Sequence, residues 1–236
     1  MVALVMNTHA AAPTTTTVRI WDLPTRVFHW VLATSVIGSL VSGTIGGKAM
    51  VAHFWFGYIA LGLLAFRIVW GFVGGRWSRF ASFIHPPAAV LRYLRGETRD
   101  GEHLDVGHSP VGAGSVFAML AILAVQVGTG LIADDEISER GPLNKYVSGA
   151  TAVVATAWHK NYGRWIILAL VVLHVAAIAF YRLRRQRDLV GPMWHGDKAL
   201  DAGVPASRDD ARTRTLALVL ALAAAAGVAW VMRQGG

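Results

Sequence analysis

Nine histidines and no cysteine set the limits of what this 236-residue chain can do with a metal. The missing thiols exclude disulfides, iron–sulfur clusters, thiolate zinc sites and any group attached through a C-x-x-C-H run. A cofactor would have to be held by imidazole, thioether or oxygen. Four of the histidines, His29, His53, His159 and His174, fall in or at the ends of long apolar blocks. An ionisable side chain in such a block is costly and usually marks function. Paired imidazoles of this kind suit a transition metal or its macrocycle.

The blocks that position them dominate the chain. Hydrophobic residues make up 54% and charged residues only 15%, against about 25% charged in a soluble domain. Five apolar segments reach or approach the roughly 17–25 residues that cross a bilayer: Val27–Ile45, Phe54–Val73, Val111–Ile132, Trp165–Tyr181 with its helix starting near Ala152, and Leu216–Met232. Asp22 caps the first helix and Pro24 fits its first turn. Met1–Val5 is too short for a signal-peptide core, so insertion through the helices themselves is expected. Trp21, Trp30, Trp55, Trp70, Trp77, Trp158 and Trp165 fall near span ends and read as an interfacial belt. Residues 1–17 read as a mobile tail, 18–196 as the membrane domain, 197–215 as a polar tether, and 216–236 as a fifth, C-terminal span. Pro86-Pro87 and the mixed charges that follow read as a loop with one short amphipathic helix, Ala88–Arg95.

Charge orients the spans. Arg19, Arg26, Arg76, Arg79, Arg92, Arg95, Arg99, the run Arg182–Arg187, Lys198, Arg208, Arg212 and Arg214 share one side. The other side carries Lys48, Arg140, Lys145, Lys160, Arg164 and Arg233, with Asp134, Asp135, Glu136 and Glu139 after the third span. The positive-inside rule places the N-terminus in the cytoplasm. The net charge of +8 is thereby topology, and no nucleic-acid groove is implied.

With that orientation the four histidines sort by depth. His29 opens an outward helix near the cytoplasmic face, and His53 and His159 open inward helices near the periplasmic face. His174 follows His159 by 15 residues, roughly 22 Å deeper at 1.5 Å per residue and about 60° away around the helix. The pairs are His29 with His174 inside and His53 with His159 outside, the donor set of two six-coordinate b-type haems. A lone histidine at a span end is explained as well by a bond to a backbone carbonyl; a depth-sorted quartet is not. Arg67, 14 residues beyond His53 on the same face, and Arg26 could each pair with a propionate of the inner haem, or Arg67 could snorkel to the interface. Ser35, Gly38, Ser39, Ser42, Gly57, Gly62, Gly128 and Gly130 could admit a macrocycle or simply pack helices closely. Gln126 suits a packing hydrogen bond or a quinone contact. His9, His85, His103, His108 and His195 read as solvated loop residues.

The stretch Trp21-Asp22-Leu23-Pro24-Thr25-Arg26-Val27-Phe28-His29-Trp30 resembles the opening of bacterial di-haem cytochrome b561 proteins and of the b-type cytochrome subunits of nickel–iron hydrogenases. So do Phe66-Arg67-Ile68-Val69-Trp70-Gly71, Gly107-His108-Ser109-Pro110, Trp158-His159 with His174, and Asp188-Leu189-Val190-Gly191-Pro192-Met193. The resemblance covers roughly residues 18–196. It implies an all-α, four-helix membrane bundle ligating haem b through His29, His53, His159 and His174. It also implies electron exchange between membrane quinone and a partner. The fifth span departs from the family core.

The expectation is an inner-membrane cytochrome with two non-covalent haems b, passing electrons between the quinone pool and a periplasmic cytochrome c or a dehydrogenase or hydrogenase subunit. Asp134–Glu139 would steer a basic partner. Membrane lipid is a further partner and a homodimer stays open. Two rivals use the same residues: a superoxide:quinone oxidoreductase, with Lys48 near His53 attracting the anion, and a haem-free transporter relaying ions or protons through membrane histidines.

Overall fold

The computed structural model describes residues 15–97, 99, 102–136 and 139–235. Five of its helical segments are long and apolar enough to cross a membrane: Leu23–Ile45, Gly47–Val73, Pro110–Ile132, Gly149–Arg184 and Ala211–Met232. Ile37, Val41, Val51, Phe72, Val172, Leu173 and Leu222 point outward and are exposed, which water would penalise and hydrocarbon favours. Backbone polar groups satisfied within each helix make this arrangement tolerable in lipid.

Local chemistry explains the ends. Helix α1 (Leu23–Ile45) starts where Asp22 accepts from Thr25 N–H at 2.8 Å, and stops at Gly46, whose φ of +68° suits glycine. A single 3₁₀ turn leads into α2 (Met50–Val73). The amphipathic α3 (Pro87–Arg95) lies in the next link. Ser109 caps α4 (Pro110–Ile132), with Pro110 in its first turn. The fourth span is composite: α5 (Gly149–Ala157), a π turn over Trp158–Gly163, and α6 (Arg164–Arg184). After α7 (Val190–His195), Asp210 caps α8 (Ala211–Met232).

Helix α1 packs on α2, α2 on α4, and α4 on the π turn and α6, while α8 lies against α2. Leu64, Leu123 and Ile167 join α2, α4 and α6; Phe28, Phe66, Trp70 and Ala217 join α1, α2 and α8. Their chief role is to bring the four histidine-bearing segments side by side.

Two expectations need correcting. Thr15–Thr17 are no tail and 197–215 is no free tether: β1 (Thr15–Arg19) pairs antiparallel with β2 (Asp197–Asp201), from Thr15↔Asp201 to Arg19↔Asp197. The remainder of the expected tail, residues 1–14, lies outside the described residues, as does His9. Arg19 holds Asp197 and Asp209 at 2.5 and 2.8 Å, Asp209 also holds Arg214 at 2.9 Å, and Ser207 N–H bonds Arg19 O. Under this cap Val18, Ile20, Trp21, Trp77 and Val106 form a small core. The second correction concerns tryptophan. Trp55 and Trp165 are exposed as a belt requires, but Trp21, Trp70 and Trp77 are buried. Trp70 stacks on Phe66 and donates from Nε1 to Thr25 Oγ1 at 3.1 Å and Asp22 Oδ1 at 3.3 Å.

Candidate functional site

The histidines meet as two couples at opposite ends of the bundle. His29, two turns into α1, faces His174 of α6 with ring centres 6.4 Å apart. His53, one turn into α2, faces His159 of the π turn at 5.9 Å. A metal about 2 Å from one nitrogen of each of two opposed imidazoles sets ring centres about 6 Å apart. Both couples fit that spacing.

The rings of His53 and His159 are oriented as ligation would require. His53 Nδ1 lies 2.9 Å from Ser39 O of α1, and His159 Nδ1 2.8 Å from Gln126 O of α4. A carbonyl only accepts, so each Nδ1 carries the proton and each Nε2 keeps its lone pair for a metal. Glycines make room. A Cβ on Gly43 would stand 2.8 Å from His53 Nδ1, and one on Gly130 2.7 Å from His159 Cε1. The π turn matters as well, because its extra residue re-aims the segment bearing His159. Counting one residue as absorbed there, 14 ordinary steps leave His159 and His174 within about 40° of each other. Gln126 makes a packing hydrogen bond, its Nε2 donating to His159 O at 3.0 Å, while its Oε1 is buried without a partner.

At the other end the surroundings are more polar. His29 Nδ1 is buried without a partner. Arg67 is 3% exposed, lies over the Phe80 ring at 4.6 Å and has no partner for its NH1. It therefore does not snorkel. Arg26 differs. It donates to Trp194 O at 2.7 Å and reaches Asp209 at 4.0 Å, bracing α1 against α7 and the cap. Asp22 is fully buried and committed, accepting from Thr25 N–H, Trp70 Nε1 and Ser78 Oγ.

His108 is not the solvated loop residue expected. Its ring is wedged between Trp21 and Phe83, at 4.7 and 4.6 Å, and its Nδ1 is buried without a partner. Burial first, then the charges of Arg67, His29 and His174, push it down to about 3, so it is a neutral donor at physiological pH. Only the Gly107-His108-Ser109-Pro110 match hinted at this. Of the others, His103 sits edge-on to Trp77, His195 accepts from Asp197 N–H, and His85 has a buried, unpartnered Nε2.

Of the small residues, Gly38 packs on Phe56 and Gly62 on Val228, whereas a side chain at Gly57 or Gly128 would meet open space. Beyond α4, Asp134 is paired with Arg140 at 2.9 Å, and Lys48 lies in the 3₁₀ turn before α2.

A family model described as prokaryotic cytochrome b561 matches residues 20–196. Curated relatives include a "Probable Ni/Fe-hydrogenase B-type cytochrome subunit" of Azotobacter chroococcum mcd 1, 29% identical over 77% of this chain and 88% of its own length. The "Probable Ni/Fe-hydrogenase 1 B-type cytochrome subunit" of Escherichia coli (strain K12) is 25% identical over 66% of this chain and 80% of its own length. A third, from Bradyrhizobium diazoefficiens, is 23% identical over 77% and 86%. No solved structure matches the chain significantly.

Proposed function

This chain belongs to the prokaryotic cytochrome b561 family, and from that premise we propose that it carries two haems b, one between His29 and His174 and one between His53 and His159. Family membership makes it a multi-pass membrane protein of transmembrane electron transfer through haem b, which sets aside the haem-free transporter. The number of haems and their ligands rest on one observation: two imidazole couples at opposite ends of the bundle, each at the spacing a shared metal needs.

When bound, haem b supplies a reversible one-electron iron couple. The residues of the chain do the rest. Two imidazoles per site leave no open position for oxygen. The Ser39 and Gln126 carbonyls hold the outer imidazoles in the tautomer that ligates. Leu64, Leu123 and Ile167 fill the interior between the two levels with apolar side chains. Gly57 and Gly128 leave room beside α2 and α4.

The wire runs between the quinone pool and a periplasmic redox protein of the inner membrane, with the N-terminus in the cytoplasm. The basic residues around the β1–β2 cap favour this orientation. The relatives' names favour a nickel–iron hydrogenase as the partner over a soluble cytochrome c. Pairing of Asp134 with Arg140 leaves less free negative charge to steer a basic cytochrome. The test is reconstitution of the purified chain in vesicles with quinol inside. Reduction of both haems by quinol, and their reoxidation by an acceptor on the other side, is the expected result. Failure of quinol to reduce either haem would remove the quinone-linked role.

A further inference from the structure

Arg67 is a buried cation that lacks an anion. It is sealed in by Phe80 and its own helix, its NH1 has no partner, and among the described residues no ion pair reaches it. Asp22 is the carboxylate whose field it feels, but both Asp22 oxygens already accept from Thr25, Trp70 and Ser78. An unpaired guanidinium in such a place is strongly unfavourable unless a bound anion completes it. A second donor lies close by: Phe80, over which Arg67 sits, packs on Phe83, and Phe83 packs on His108. His108, held between Trp21 and Phe83, has a buried Nδ1 without an acceptor, and Arg67, His29 and His174 are the charged or chargeable groups whose fields reach it.

The two donors come from different elements, α2 and the turn before α4, and converge at the end of the bundle where the inner imidazoles meet. Their surroundings are aromatic: Phe80, Phe83 and Phe117 pack on one another there. The ligand they suit is an anion carried by an apolar body, with the anion at its edge. A carboxylate matches the guanidinium in charge and takes a further hydrogen bond from a neutral imidazole. We infer that Arg67 and His108 together bind one propionate carboxylate of the haem held by His29 and His174. This rests on the reading that the inner couple holds a haem, and it gives His108 a role as a positioning residue.

The test uses the full-length protein purified with its haems. Haem-to-protein ratio and the resonance Raman propionate-bending bands are recorded for wild type, His108→Leu, His108→Asn and Arg67→Gln. His108→Leu and Arg67→Gln should each shift the propionate band of one haem only and raise loss of that haem in detergent roughly tenfold, the scale of one charge-assisted hydrogen bond. His108→Asn, which keeps a side-chain N–H, should restore the wild-type band; that rescue separates a hydrogen bond from mere packing. A wild type with two low-spin haems whose propionate bands are the same in Arg67→Gln and His108→Leu overturns the inference and leaves the di-haem reading standing. If His108→Leu does not fold, an unshifted band in Arg67→Gln is enough to overturn it. A wild type without an inner haem overturns both.

Discussion

At the scale of single residues, the proposed haem site between His53 and His159 would depend on two missing methyl groups. Alanine at Gly43 or Gly130 would drive a Cβ to 2.8 Å from His53 or 2.7 Å from His159, inside van der Waals contact, on rings already fixed by a backbone carbonyl. Gly130→Ala and Gly43→Ala should therefore lose the outer haem and keep the inner one, as read by pyridine haemochrome quantitation. Asp22→Ala tests structure instead. It strands the Trp70, Ser78 and Thr25 donors, each worth about 1–3 kcal/mol when left unmade, so the thermal midpoint in detergent should drop sharply even with haem bound. The pairing of His29 with His174 and of His53 with His159 was legible in the sequence because an ionisable group in an apolar block stands out by type alone. Gly43 was not, Gly130 stood out only as one of several small residues, and His108 only through the Gly107-His108-Ser109-Pro110 match. What each one touches is set by side chains arriving from another helix.

At the scale of elements, hydropathy and capping residues located every span to within a few positions, since length and composition suffice for that. The π turn was not legible. An i→i+5 bulge differs from an α turn by one residue of register and carries no compositional signature. It still matters for the aim of His159. Deleting Asn161 would return Trp158–Gly163 to ordinary helix and leave 14 ordinary steps from His159 to His174, the same aim that the bulge gives. Low-spin signals from both haems should survive that deletion. The β1–β2 pair was hidden for a different reason: its strands lie some 180 positions apart, and neither is apolar. Its stability should depend on pH through Asp209. Burial works against the ionised carboxyl, but hydrogen bonds from Arg214, the Leu23 N–H and Arg19 win and hold it below its ordinary value. A carboxyl lowered in the folded state stabilises the cap above its unfolded value of about 3.9, and that contribution is lost as pH falls through the lower folded one. Amide protection factors in β1 and β2 should be high at pH 6 and fall below about pH 4, with Asp209→Asn already poorly protected at pH 6.

For the whole molecule, the plan is two imidazole couples, each proposed to hold a haem, separated by an apolar interior. The same helix, α6 with its π turn, contributes to both levels, so the levels are rigidly spaced by roughly 21 Å of helix. Helix α8 stands apart from this plan. It packs on α2 and also on α1, and among the described residues no hydrogen bond or ring contact joins it to either imidazole couple, so truncation before Ala211 should leave both haem spectra unchanged; loss of either haem would show that the fifth span supports the site. The direction of electron flow and the partner belong to the surfaces at the two ends, where the sequence is polar and its pattern says little. The interior holds both proposed haem sites, and the most direct measurement of them is haem stoichiometry and spin state by electron paramagnetic resonance of the oxidised protein, in wild type, His53→Ala and His174→Ala. Wild type should show two low-spin bis-imidazole species per chain. His53→Ala should lack one of them and His174→Ala the other. Two intact low-spin species in either variant would contradict the account.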